Sequence, residues 1–188
     1  LRDANELHIP VGKPVLLELE AADVIHSFWV PRLGGKMDMI PGRTNRLLFQ
    51  ADKPGIYTGQ CDEYCGGPPA PMGFIVVAHA PADFARWQAS RVPARGAGSP
   101  GRSLFLSSGC AACHTVRGTP ANGLAGPDLT HVGSRQTLGA GILPNNPGTM
   151  AGWIADSQAF KPANRMPAYH QFSGAELLAL TDYMASLK

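Results

Sequence analysis

Long apolar runs are missing from this chain of 188 residues. None approaches the roughly 18 residues that a membrane-crossing helix needs, which excludes such a span within the sequence. Charge is sparse as well, at 16% of residues, and it balances to +2 with no Lys/Arg cluster. Nucleic acid is therefore excluded as a partner. Leu1 to Pro10 lack the basic start and apolar block of a secretory leader, so the sequence reads as a soluble chain or as a piece of something anchored. No internal repeat is visible. What the chain has in quantity is 22 Gly and 17 Pro beside 44% hydrophobic residues. That combination implies a real core, many turns and few long helices.

The apolar pattern changes along the chain. "ELHIP", "PVLLELE", "VIHSFWV", "NRLLFQ", "GIYTGQ" and "GFIVVA" are short, rich in aliphatic and aromatic residues, and separated by Gly, Pro and Asp/Lys turns. Such spacing predicts an all-β sandwich or barrel. "PADFARWQAS" follows as a short helix with Phe84 and Trp87 on one face. "RVPARGAGSPG" has no apolar period and the composition of a connector. The expected organisation is a β domain over 1–91, a flexible linker over 92–100 and a small all-α domain over 101–188. In the last part "RSLFLSSG" and "PGTMAGWIADS" read as helices. "SGAELLALTDYMASL" is the clearest helix, with a capping box from Ser173 and Glu176 and an apolar stripe of Leu177, Leu180, Met184 and Leu187. A domain of this size needs a metal, a disulfide or a cofactor to support its core.

"CAACH", Cys110 to His114, supplies one. Two thiols three residues apart add across two haem vinyl groups, and the next residue offers an imidazole to the iron. Zinc would need a second pair of ligands, and no cysteine follows Cys113. The expected sixth ligand is Met166 in "KPANRMPAY", a thioether in a loop stiffened by Pro162 and Pro167, whereas Met150 and Met184 read as core. Imidazole plus thioether makes a six-coordinate, electron-carrying iron. Pro127 offers a carbonyl to the second nitrogen of His114, and Arg135 a partner for a haem propionate. His131 reads as an exposed or satisfied histidine rather than a ligand. This half is expected to be a class I cytochrome c domain carrying heme c.

In the β half, "GQCDEYCGGPPAPMGF" sets Cys61 and Cys65 four apart in a loop between two strands, with Met72 seven residues on. Thiolate, imidazole and thioether are copper ligands. "DVIHSFWVP", "GKMDMIPGRTN" and "GQCDEYCG" resemble the cupredoxin-like, dinuclear-copper domain of cytochrome c oxidase subunit II. "GCAACHTVRGTPANGLAGPDLTHVGSR" resembles the cytochrome c domain fused to that subunit in caa3-type oxidases. The resemblance implies His26 as a terminal copper ligand, Cys61 and Cys65 as bridges, the Glu63 carbonyl as a weak ligand and Met72 as an axial one.

The resemblance breaks at one position. The family pattern C-x-x-x-C-G-x-x-H-x-x-M has Pro69 where its second histidine stands. Proline has no side-chain lone pair, and Pro68, Pro69 and Pro71 stiffen the loop. His79 lies seven residues past Met72, roughly 23 Å in extended chain, and His8 sits in an earlier strand. Neither replaces the missing ligand. Two outcomes stay open: weak or altered copper binding, or no copper with Cys61 and Cys65 free or disulfide-linked. The metal-poor outcome is the expectation.

The resemblance further implies an electron-transfer subunit of a haem–copper oxygen reductase, with no oxygen-reducing site on this chain. Its partners would be catalytic subunit I, the other oxidase subunits and a cytochrome c or upstream complex as donor. It would lie on the periplasmic face of a bacterial membrane, anchored through a helical hairpin that, with an aromatic strand, precedes the matching region in the family. The chain would then be a soluble fragment or a processed form, and without a copper relay the linker would let the haem domain approach the next cofactor. The alternatives are a degenerate subunit II of a nitric oxide reductase or related terminal reductase, and a haem-based sensor or scaffold.

Overall fold

A computed structural model describes residues 2–65, 72–92 and 98–188. The chain divides into two compact units, one of Asn5–Ser90 and one of the described residues of Leu1–Ala4 and Arg91–Lys188.

The first unit is built on β1 (Glu6–Pro10), β2 (Val15–Leu19), β3 (His26–Trp29), β4 (Met37–Met39), β5 (Asn45–Phe49), β6 (Gly55–Cys61) and β7 (Gly73–His79), closed by helix α1 (Pro81–Ser90). Five strands form one sheet in the order β1-β7-β6-β3-β4, and β2 pairs with β5 in a second. β1 runs parallel to β7, with His8 opposite Val77, whereas the other pairs are antiparallel. Alternation decides which face is buried. In β2 and β5, Leu19 and Phe49 point inward, while Glu18 and Arg46 face out and pair across the strands at 3.1 Å. The core gathers Ile9, Val30, Phe49, Ala51, Tyr57, Val76 and Ala78. Phe28 stacks on Phe74 with ring centroids 4.7 Å apart. Gly59 has to be glycine because a Cβ there would sit 2.3 Å from the Phe74 ring. That packing fixes the strand that ends at Cys61. α1 covers the β1–β7 edge through Trp87, which stacks on His8 at 4.2 Å and on Phe84 at 5.5 Å. β4 is the strand that the alternation does not reveal, three residues in a Gly- and Pro-bounded stretch.

The second unit consists of α2 (Pro100–Ser107), α3 (Cys110–Cys113), a hairpin of β8 (Thr137–Leu138) and β9 (Leu143–Pro144), α4 (Pro147–Ala155), α5 (Ser157–Phe160) and α6 (Gly174–Ser186). Each longer helix starts on a polar cap: Ser99 for α2, and full capping boxes from Asn146 with Thr149 for α4 and Ser173 with Glu176 for α6. These side chains accept from amides that the first turn leaves unpaired. α2 and α6 cross in close contact at Gly101, where a Cβ would meet the Ala179 carbonyl oxygen at 1.9 Å. Phe105 and Tyr183 pack edge-on beside it. Leu180, Met184 and Leu187 are buried with Met150, Ile154, Val116 and Val132, and Leu177 packs against them. Among the described residues no helix is long and apolar enough to cross a membrane.

His131, read as an exposed or satisfied histidine, is buried, with only 2% of it accessible. The C-terminal residues close over this segment, with the Gly133 amide donating to the Leu187 carbonyl at 2.7 Å. Burial pushes the His131 imidazole below its ordinary value; the Lys188 main chain opposes this, and Arg91 and Arg117 reinforce it. The sign follows from linkage. The unfolded chain takes up this proton near its ordinary value of about 6.5, whereas the folded chain resists it. The associated stability is thus complete above that pH and is lost as pH falls through 6.5 toward the lowered folded value. Unfolding free energies from urea titration should drop between about pH 7.5 and about pH 5.5, by at most about 1.4 kcal/mol per pH unit. His131→Gln should flatten that dependence, and equal slopes in both proteins would refute it.

Candidate functional site

The turn that carries the thiols of the second unit is a single helical one. Gly109 enters α3 at φ +85°, and His114 leaves it in an extended conformation at φ −111°. Cys110 is thereby buried in the core beside Phe105, and Cys113 is exposed at the rim. Burial pushes the Cys110 thiol up, with the Tyr169 hydroxyl bonded to it working the other way. Tyr169 itself is pushed up to about 12, by burial first and by Cys110 next.

The His114 ring is fixed on two sides. Its Nδ1 lies 2.8 Å from the Pro127 carbonyl oxygen, which makes Nδ1 the protonated nitrogen and leaves the Nε2 lone pair free. Gly126 packs flat against the ring, so that a Cβ at that position would lie 2.5 Å from Cε1. Burial holds this imidazole below its ordinary value, the Pro127 carbonyl opposing and the Arg135 charge adding. Arg135 does not stand free. Its Nε donates to Asp3 Oδ1 at 2.8 Å and its Nη2 to the Asp128 carbonyl.

Met166 sits half-buried in a clamped loop. Its amide donates to Asn164 Oδ1 at 2.8 Å, and its carbonyl accepts from Ser157 Oγ at 3.1 Å and Gln158 Nε2 at 2.8 Å. Met150 and Met184, by contrast, lie in the core at 4% and 5% exposure. A porphyrin fits this donor set: a buried and an exposed thiol on one turn, an imidazole with its outer nitrogen committed, and a ring seat that only glycine leaves open. Gly126, Tyr169 and the Asn164–Gln158 clamp are absent from the sequence reading; only the G-P pair at 126–127 carried a local signal.

The β unit brings its five ligand candidates together. Cys61 Sγ lies 3.8 Å from His26 Nδ1, 3.9 Å from Cys65 Sγ and 3.9 Å from the Glu63 carbonyl oxygen. Cys65 Sγ lies 3.4 Å from Met72 Sδ. The strands explain this convergence: His26 opens β3, Cys61 ends β6, and the Cys61 amide donates to the Met72 carbonyl just before β7. Two supports went unread in the sequence. The Ser27 amide donates to Cys61 Sγ at 3.4 Å, and Asp23 Oδ1 stands 2.9 Å from His26 Nε2. Asp23, three residues before His26, orients that ring so that Nδ1 faces the thiolates. Burial pulls the His26 imidazole down, but the Asp23 bond and then Cys61 carry it above its ordinary value. Burial also works to raise Cys61, and the Ser27 amide, His26 and the Glu63 backbone outweigh it, so this thiol is lowered. Burial and its neighbour Cys61 raise Cys65.

A second imidazole is lacking. Among the described residues, His26, Cys61 and Cys65 form the one group of three or more His, Cys, Asp or Glu side chains with ligand atoms mutually within 4.8 Å. His8 Nδ1 and His79 Nε2 lie 2.7 Å apart and are occupied with each other. Gly73, next to Met72, pairs with Gln60, whereas His79 is at the far end of β7 opposite Pro10. Pro69 lies outside the described residues, together with its neighbours at 66–71. A two-copper centre with an imidazole on each metal does not fit this donor set.

Residues 1–79 match the family described as cytochrome c oxidase subunit II, periplasmic domain, and residues 99–188 the family described as cytochrome c. Cytochrome c oxidase subunit 2 of Alkalihalophilus pseudofirmus is 42% identical over 189 residues, which cover 98% of this chain and 54% of that protein. The same subunit of Bacillus sp. (strain PS3) is 32% identical, over 98% of this chain and 56% of its own length. The chain spans about half the length of these curated relatives. Among solved structures, the periplasmic domain of subunit II of cytochrome oxidase (CoxB) of Bradyrhizobium japonicum is 41% identical over 46% of this chain and 62% of its own, with a TM-score of 0.43. With both halves matched in order, the chain belongs to the cytochrome c oxidase subunit II family and joins that subunit's cupredoxin-like periplasmic domain to a cytochrome c domain.

Proposed function

We propose that this chain is the electron-transfer subunit of a caa3-type haem–copper oxygen reductase, and that its working redox centre is a heme c held by Cys110, Cys113, His114 and Met166. A haem so held supplies a reversible one-electron couple. The observation that carries the reading is the bond of His114 Nδ1 to the Pro127 carbonyl on the CAACH turn. It commits the ring's proton outward and presents Nε2 as a ligand, a support that also raises ligand basicity. Cys110 anchors inside the core, where water is excluded, while Cys113 stays at the exposed rim. Asn164, Ser157 and Gln158 hold the Met166 main chain, which sets where the thioether points. Arg135, gripped by Asp3 and Asp128, keeps a cation beside His114.

The β unit would dock on catalytic subunit I on the periplasmic side, as part of a complex that takes electrons from a cytochrome c or an upstream donor. A two-copper relay plays no part in this reading, because the ligands for it are incomplete. The test uses the haem-loaded chain. A pyridine haemochrome should give c-type bands, the reduced wild type should refuse carbon monoxide, and Met166→Ala should bind it. Catalytic subunit I under air should reoxidise the reduced wild type. Carbon monoxide binding by the wild type, with Met166 displaced, would point instead to a haem sensor and overturn the proposal.

A further inference from the structure

The thiolate loop of the β unit is a metal site of another kind. We propose that His26 Nδ1, Cys61 Sγ, Cys65 Sγ and Met72 Sδ hold a single cuprous ion in a four-coordinate pocket. The edges of the cluster carry the argument. Tetrahedral bonds of about 2.3 Å to sulfur and about 2.0 Å to nitrogen set sulfur–sulfur edges of about 3.8 Å and sulfur–nitrogen edges of about 3.5 Å. The structure has sulfur–sulfur edges of 3.9 Å and 3.4 Å and a sulfur–nitrogen edge of 3.8 Å. These three edges depart from the tetrahedral values by at most about 0.4 Å, and the ligand atoms of His26, Cys61 and Cys65 all lie within 4.8 Å of one another.

The donor types choose the ion. Three sulfurs, one of them a thioether, form a soft set that favours Cu(I), whereas zinc takes thiolate, imidazole and carboxylate. Among the described residues a second copper finds no imidazole of its own. Of the six histidines, five lie outside the cluster: His8 is bonded to His79 and His114 to the Pro127 carbonyl, His131 is buried, and His170 stands 3.7 Å from Asp156. The pocket is also supported as a ligand set. Asp23 fixes the His26 tautomer at 2.9 Å, and the Ser27 amide points at Cys61 Sγ. Met72 is 40% exposed, so an ion enters without unfolding the strands. Bound there, it ties the start of β3 to the end of β6 and to the residue before β7. The inference does not depend on the haem reading, since copper is counted separately from iron.

The test is an anaerobic titration of the full, haem-loaded chain, its thiols reduced, with Cu(I) supplied as its acetonitrile complex and with zinc sulfate in competition. One copper per chain is expected, without a paramagnetic copper signal, with ultraviolet thiolate-to-copper bands and a raised melting temperature for the β unit. Cys61→Ser combined with Cys65→Ser should abolish the bands. Asp23→Asn, on an exposed carboxylate and so safe for folding, should weaken copper binding by about 10- to 100-fold. Two coppers per chain with a mixed-valence signal would overturn the proposal. So would preferential zinc uptake, refusal of copper by a chain with both thiols free, or unchanged copper affinity in Asp23→Asn.

Discussion

Replacing Cys110 and Cys113 together by alanine should abolish covalent haem and strongly destabilise the second unit, while the β unit survives. The buried half of the effect starts at Cys110, which lies in a core of twelve buried side chains with Phe105, Val116 and Leu180. A small core of this kind supplies only about 3–5 kcal/mol unaided. For a cofactor domain, the free energy of loading is folding free energy. Loss of about 3 kcal/mol lowers the melting temperature of a unit of this size by roughly 12–24 °C. Far-UV circular dichroism should show the helical signal melting earlier by that margin, and a haem stain on a denaturing gel should be blank. The strands of residues 5–90 have their own core, so their transition should stay in place. A double variant that retains stained haem, or melts as the wild type does, would remove the basis for the functional reading.

Gly126→Ala should leave the haem attached but spoil its axial ligand. The new methyl would lie 2.5 Å from His114 Cε1, 2.7 Å from Nδ1 and 3.1 Å from Nε2. Real carbon atoms do not approach so closely, so the ring has to turn. Turning it breaks the 2.8 Å bond to the Pro127 carbonyl and moves Nε2. The backbone offers little relief, because the Gly126 amide is tied to the Cys113 carbonyl at 2.7 Å and a proline follows. Overpacking of this type costs about 1–3 kcal/mol. Both thiols are untouched, so stained haem remains, whereas the reduced variant should bind carbon monoxide and lose stability by that amount. Gly174→Ala serves as the control, since nothing lies within 4 Å of its Cβ. Equal spectra and equal stability for wild type and Gly126→Ala would show that the ring seat plays no part.

The two variants mark where the sequence was readable. Both thiols and His114 are singled out by their spacing, and Met166 by a proline-bounded loop outside any helical stripe; that they hold a haem is the proposal made above. The strands of the first unit other than β4 follow from period-2 alternation and α6 from its capping box and stripe, whereas β8 and β9, of two residues each, interrupt a unit expected to be all-α. Other features are set by packing between distant segments and leave no local mark. Gly126 matters because a ring twelve residues upstream folds onto it, and His131 is buried because the C-terminus closes over it. α3 and α5 span four residues each, too few to display a helical period. Asp23 did carry a signal, an acid three residues before a candidate ligand, yet an exposed Asp–His pair is common enough that the spacing alone does not single it out.

The pairing of the first strand with the last has a consequence for how the chain is made. β1 finds its parallel neighbour, β7, some seventy residues later, with Glu6 opposite Ile75. Closing so long a loop is slow, and during synthesis or export the leading edge stays bare until the seventh strand has emerged. At the end of that interval Cys61 and Cys65 are already outside, with neither β7 nor Met72 to cover them. Whatever first meets those two sulfurs, an oxidant or a copper donor, does so on a half-assembled sheet, and timing sets which chemistry the finished protein inherits.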